Sequence, residues 1–199
     1  MKKNFKNVYQ FKITLKRVKP VVWRRIQVPE TYSFWDLHIA IQDAMGWCDC
    51  HLHHFSIANP KTGKKDIIGI PEEVYDDEGD TIAGWERYIA DYFSMENKHT
   101  LYEYDFGDGW QHNVDFEKIL PRGDGVNYPL CVTGKMACPP EDVGGVGGYE
   151  DFLEIINDPN NAEYKEMLEW VGGEFEPEYF DPKEVDFWDP DERFRTAFQ

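Results

Sequence analysis

Three histidines stand out for what they could bind. His51 and His53 are two residues apart, and His112 lies beyond them in a stretch that also holds Asp105 and Asp108. An H-x-H pair on a strand places both imidazoles on one face, about 6.5–7 Å apart. With a carboxylate, such nitrogens could hold zinc or another divalent ion, and the ion could generate hydroxide for a phosphodiester-type hydrolysis. Cys48, Cys50, Cys131 and Cys138 add sulfur donors. Their spacings are x and x6, not the x2 that marks a zinc ligand pair. A metal is therefore a candidate on ligand supply without ligand spacing, and a protein with no cofactor is the competing expectation.

The stretch 102–112, YEYDFGDGWQH, reads first as a hairpin. Tyr102, Tyr104 and Phe106 alternate with Glu103 and Asp105; Trp110, His112, Val114 and Phe116 alternate with Gln111, Asn113 and Asp115. Asp108-Gly109 is the dipeptide that a two-residue type I′ turn requires. His112 then falls on the apolar face beside Trp110, where an imidazole serves as a core residue as readily as a ligand. Asp105 is either solvated or accepts bonds from turn amides.

Residues 138–149, CPPEDVGGVGGY, lead into a helix. Glycine amides at a helix start can hold an anion. There is no phosphate-loop lysine, however, and Glu141 and Asp142 would repel phosphate. No G-x-S-x-G supports a serine hydrolase.

These residues need elements to position them. Residues 8–16 alternate as a half-buried strand, and 21–28 form its hairpin partner. Ser33 caps a helix with Asp36 in its first turn; Phe34, Leu37, His38, Ile41, Ala44 and Met45 share a stripe, and Gly46 ends it. Residues 51–57 predict a third strand with His51 and His53 facing inward, and 66–70 a fourth. This ββαβ start is β-grasp-like in element order. Residues 72–80 read as an acidic loop, 85–96 as a short amphipathic helix, 121–148 as loop, and 149–157 and 161–171 as helices. The tail 172–199 is acidic, with aromatics that could tack it to the body. The expectation is one α+β domain over 1–199, mainly antiparallel sheet, with an 8–120 core and a loop-rich, helical extension over 121–199.

The 199 residues carry a net charge of −17, unevenly spread. Residues 1–29 hold nine Lys or Arg and no acid, leaving −26 on the rest. The acidic body argues against nonspecific nucleic-acid binding, which rests on phosphate neutralisation. The basic segment 1–29 keeps a local nucleic-acid contact open, or faces the chain's own acid, such as the nine acids of 174–192. Four cysteines are too few for a disulfide scaffold, no apolar run follows the N-terminal lysines, and no stretch approaches a membrane span. A cytoplasmic protein without membrane contact is expected.

Three blocks carry a family resemblance: PVVWRRIQVP (20–29) with LHIAIQDAMGWCDCHLHHF (37–55); YEYDFGDGWQH (102–112); and YPLCVTGKMACPPEDVGGVGGYEDFL (128–153). Together they resemble the plasmid pRiA4b ORF-3-like family, from about residue 8 to 185. The resemblance implies a protein of plasmids, mobile elements and prokaryotic genomes, and carries no activity with it. The family pattern gives weight here to Trp23, Arg24, Trp47, Asp105, Asp108, Trp110, Glu141, Asp142 and Tyr149 as candidate ligand contacts, beside His51, His53 and His112 as candidate metal ligands. Many relatives have a cysteine where Val143 stands, which weakens a cysteine-based zinc site. The first functional reading is a non-enzymatic binding or accessory module with a protein partner, since Trp23, Trp47 and Trp110 near charge suit a recognition surface. The alternative is the metal-dependent hydrolase. A third reading makes the histidines a buried polar network that fixes the core.

Overall fold

Alternation over the second half of the first strand, β1 (Asn7–Leu15), buries Phe11, Ile13 and Leu15 and leaves Lys12 and Thr14 on the other face, while Val8, Tyr9 and Gln10 before them are all buried. β2 (Trp23–Pro29) returns antiparallel, with Ile13 opposite Arg24. Ser33 then closes a capping box with Asp36, and α1 runs Phe34–Met45 to Gly46, whose φ of 90° suits a residue without a Cβ. The remaining elements are β3 (His53–Ala58), β4 (Lys65–Gly69), β5 (Thr81–Ala83), β6 (His99–Tyr104), β7 (Trp110–Pro121), β8 (Leu130–Lys135), α2 (Gly145–Asn157), α3 (Tyr164–Trp170) and α4 (Pro190–Phe198). This is a computed structural model, and it describes residues 4–71 and 81–198. The expected acidic loop 72–80 lies outside the described residues.

The eight strands form one sheet in the order β5-β4-β3-β6-β7-β1-β2-β8. Among the described residues only the β4–β5 pairing is parallel. The fold class is therefore α+β with a mixed, mostly antiparallel sheet. The ββαβ order is present, but β6 and β7 stand between β3 and the first hairpin. One sheet face carries the core, where Phe11, Phe34, Phe93 and Phe116 pack with ring centroids 4.9–6.0 Å apart. Among the described residues no helix is long and apolar enough to cross a membrane.

Four local expectations change. α1 is buried almost all round, not along one stripe. Its second side is covered by the tail: Trp35 Nε1 donates to the Pro190 carbonyl at 3.1 Å, and Phe194 and Phe198 meet the indole edge-on. The expected helix over 85–96 is instead two 3-10 turns, Gly84–Glu86 and Ile89–Asp91. Its backbone is drawn to the segment before α1, where the Ile89 amide bonds Tyr32 and the Phe34 amide bonds Arg87. These tertiary bonds replace the i→i−4 ladder, while Ile89, Tyr92 and Phe93 still reach the core. The two-residue type I′ turn is also absent: Tyr104 pairs with Trp110, so five residues connect β6 and β7. Asp105 (φ 53°) and Gly109 (φ 66°) take the left-handed positions, and the Gly109 amide bonds the Asp105 carbonyl. Finally, part of the expected loop 121–148 is β8, which covers the outer edge of β2.

Candidate functional site

Three loops meet at one end of the sheet: residues 46–52 before β3, 105–109 between β6 and β7, and 136–144 before α2. Trp47 Nε1 donates to the Pro139 carbonyl at 2.9 Å. Glu141 accepts from the Cys48 amide at 2.8 Å through one oxygen and from the Tyr104 hydroxyl through the other. The Tyr104 oxygen accepts in turn from the Cys50 amide. Asp108 accepts from the Gly144 amide at 3.1 Å, and the Asp105 amide bonds the Leu52 carbonyl. Gly145 packs so close to the Asp108 carbonyl that a Cβ would collide with it, and its φ is +69°. Glu141 and Asp108 are thus engaged in holding the loops together.

Two other aspartates of this rim are not so engaged. Asp105 Oδ1 accepts from the Gly107 and Asp108 amides, leaving Oδ2 3.7 Å from His51 Nε2. Asp142 Oδ1 lies 3.0 Å from the same nitrogen. Both aspartates sit at positive φ, 53° and 58°, a conformation that costs a non-glycine residue of order 1 kcal/mol. His51 Nε2 is shielded from water, yet its direction gives no hydrogen bond to either carboxylate. One atom each from His51, Asp105 and Asp142 lie within 4.8 Å of one another. Asp142 is largely exposed, so the cluster opens to solvent.

A second cluster lies deeper. His38 Nε2 is 2.7 Å from Asp49 Oδ1, and His38 Nδ1 is 2.8 Å from the Tyr102 hydroxyl. Arg193 Nε donates to Asp49 Oδ2 at 2.8 Å, and Gln42 Nε2 donates to the Tyr102 oxygen. Because the carboxylate only accepts, His38 carries its proton on Nε2, Nδ1 accepts from Tyr102, and Tyr102 accepts from Gln42. Every proton of this line has one position. Burial raises the Asp49 carboxyl, but the bonds from His38 and Arg193 outweigh it and hold the group below its usual range. Burial lowers His38 against the pull of Asp49. His53 stacks on His38 at 3.4 Å with planes 7° apart, and burial first, then His38, hold it neutral far below its usual value. The in-plane lone pairs of parallel rings do not converge, so these two imidazoles are poorly set to share an ion, although the donor atoms of His38, Asp49 and His53 cluster.

The three histidines singled out in the sequence therefore separate. His51 lies before β3 and faces the rim, since Asp49 at φ 55° turns the chain there; His53, on β3, stacks inside. His112 is buried beneath Trp47 and Tyr102, with neither ring nitrogen hydrogen-bonded among the described residues; burial, against the backbone groups of Tyr102 and Trp110, pushes it down to about 3. Trp110 and Tyr149 are core residues, and Trp47 is nearly so. Trp23 lies half-buried on the opposite sheet face, under Lys12 and Arg25. Arg24 is buried: it donates to the Ala44, Trp23 and Lys135 carbonyls and stacks on Phe180. Arg25 pairs with Glu117 at 2.7 Å. Two of the basic residues of 1–29 are thus engaged inside the chain. His38 and Asp49 were missed in the sequence, His38 because it lay on an apolar stripe and Asp49 because two cysteines flank it.

Comparisons with known proteins agree with this picture of the fold. An uncharacterized protein of Sinorhizobium fredii (strain NBRC 101917 / NGR234), y4hQ, is 37% identical over 167 residues, covering 83% of this chain and 81% of that one. The crystal structure of MM3350 from Methanosarcina mazei Go1, titled as a protein of unknown function, superimposes with a TM-score of 0.86 at 50% identity. It covers 92% of this chain and all of that one. The sequence model for plasmid pRiA4b ORF-3-like proteins matches residues 7–184, and the chain belongs to that family.

Proposed function

We propose that the protein is a divalent-cation-binding recognition module, with the ion held by His51, Asp105 and Asp142. The observation that supports this reading is the His51 Nε2 atom, shielded from water and, among the described residues, without a hydrogen bond, 3.0 and 3.7 Å from two carboxylate oxygens. An ion there would give the nitrogen a partner and relieve repulsion between the carboxylates. One imidazole and two carboxylates suit a first-row ion such as manganese or zinc. The acid of the surrounding rim, Asp108 and Glu141 included, adds to the local attraction for cations. The remaining positions on the ion would face solvent and receive an anionic group of a partner.

Titration calorimetry with manganese and zinc chloride tests this. One ion per chain, bound at least tenfold more weakly by His51→Ala, is the expected result. No binding to the wild-type chain, or equal binding by the variant, would overturn it. One feature also favours the hydrolase reading: three protein ligands with open positions are the pattern of a catalytic zinc site. Release of nitrophenolate from bis(4-nitrophenyl) phosphate by the metal-loaded chain, lost in Asp105→Asn, would move the assignment to that reading.

A further inference from the structure

We propose that a cleft between α1 and the C-terminal tail binds a small zwitterion of the α-amino acid class, with its ammonium group on Asp43 and its carboxylate on Arg193. The cleft encloses about 320 Å³. That volume reaches the lower end of the range for small-molecule sites. Ile39, Trp47 and Trp188 provide apolar wall, and Gln42, Asp43, Asp49 and Arg193 provide the polar groups.

The ligand class follows from which of those polar groups are still available. Gln42 is engaged at both ends, accepting from the Asp49 amide and donating to Tyr102. Asp49 holds His38 with one oxygen and Arg193 with the other. Trp47 Nε1 is engaged with Pro139. Asp43 accepts from the Trp188 amide through Oδ2 only, and among the described residues its Oδ1 has no hydrogen bond. Arg193 uses Nε on Asp49 and Nη2 on the Cys48 and Asp49 carbonyls; among the described residues its Nη1 has none. What remains in one cleft is a carboxylate oxygen and a guanidinium N–H, the complement of an ammonium and a carboxylate on one small molecule. Burial pushes the Asp43 carboxyl up to about 6, against the amide of Trp188, as for an acid that lacks a full cationic partner. The two indoles, Trp47 buried and Trp188 exposed, leave an apolar slot for the ligand's side chain.

The site is separate from the rim cluster, so calorimetry is run in EDTA, where failure of the cation reading does not affect it. A panel of free α-amino acids is compared with their carboxamides and N-acetyl derivatives. At least one free amino acid is expected to bind, with each blocked form at least tenfold weaker. Asp43→Asn, nearly isosteric, is expected to lose tenfold or more while keeping its cooperative unfolding. Trp188→Ala keeps the backbone amide that holds Asp43 and is expected to weaken large side chains more than glycine. No binding by any free amino acid up to 10 mM, or equal binding of free and blocked forms, would overturn the assignment.

Discussion

Acid should unfold this protein partly through one ring. His112 is fully buried; among the described residues neither nitrogen makes a hydrogen bond, and the Tyr102 and Trp110 backbone groups that favour its charged form are outweighed by burial. Burial holds its folded-state value at about 3, against 6.5 in the open chain. The folded state therefore takes up the proton much less readily than the unfolded state. Stability from this group is fully present above pH 6.5 and is lost as pH falls towards 3. At pH 5, about 1.5 units below the unfolded value, the loss is about 2 kcal/mol; the whole shift corresponds to about 5 kcal/mol. A domain stabilised by roughly 5–15 kcal/mol would notice either figure. The measurement is urea unfolding at pH 7 and pH 5 for the wild type and for His112→Phe. The variant repacks the site beneath Trp47 and Tyr102, but that cost is present at both pH values and cancels. His53, also held neutral by burial, and Asp43, which shifts in the opposite sense, remain in both proteins and cancel as well. The wild type should lose about 2 kcal/mol more than the variant between pH 7 and pH 5. Equal losses would show that His112 takes up its proton in the folded state, and the account in which burial outweighs the nearby backbone groups would fail.

Asp43 gives the opposite sign. Its folded value is raised, so ionisation destabilises the fold as pH rises from about 4 to 6; Asp43→Asn should gain up to about 3 kcal/mol at pH 7 and little at pH 4, by thermal melts at both. Arg24→Met keeps the stem but removes donors from three carbonyls and the stack on Phe180; a loss of roughly 3 kcal/mol in urea unfolding is expected. Gly145→Ala meets both a positive φ and the Asp108 carbonyl, so it should lower stability by at least about 2 kcal/mol and weaken manganese binding at the rim, read by calorimetry.

What the sequence made legible was whatever local pattern decides alone. The alternation from Phe11 to Leu15 and the Ser33–Asp36 box needed no distant partner, and both are present as read, whereas Val8 to Gln10 are buried on both faces of the strand. The β6–β7 strands were legible for the same reason, but their turn was not. Asp108-Gly109 favours a two-residue turn, while the Asp105–Leu52 and Gly144–Asp108 bonds from two other loops hold a five-residue one. β8 was hidden because its segment, LCVTGK, has only a broken alternation, and pairing with β2 supplies the order. The 85–96 segment shows the reverse: a good helical pattern lost to backbone bonds with residues 32–34. At the rim, Asp105 and Asp142 could be named from the sequence, but their grouping with His51, apart from His53 and His112, depends on the positive φ of Asp49 just before it.

Residues 49–53 carry the same chemistry into two different environments. Asp49 turns inward to His38, where Arg193 from the far end of the chain completes a hydrogen-bonded line whose shared protons each have one position, and His53 stacks on His38 with its Nδ1 unbonded among the described residues. A line bonded in this way fixes structure, because an ion seated between His38 and Asp49 must first break a bond already made. His51 turns outward to two aspartates, and there the count does not close: among the described residues one shielded nitrogen has no hydrogen bond, and two carboxylate oxygens lie within 4.8 Å of it and of each other. Groups that are energetically incomplete at an open surface are where a ligand gains most by binding, since it supplies the partner the fold withholds. The structural reading of the histidines and the cation-binding reading of the protein are therefore compatible, because they apply to different residues on either side of one turn.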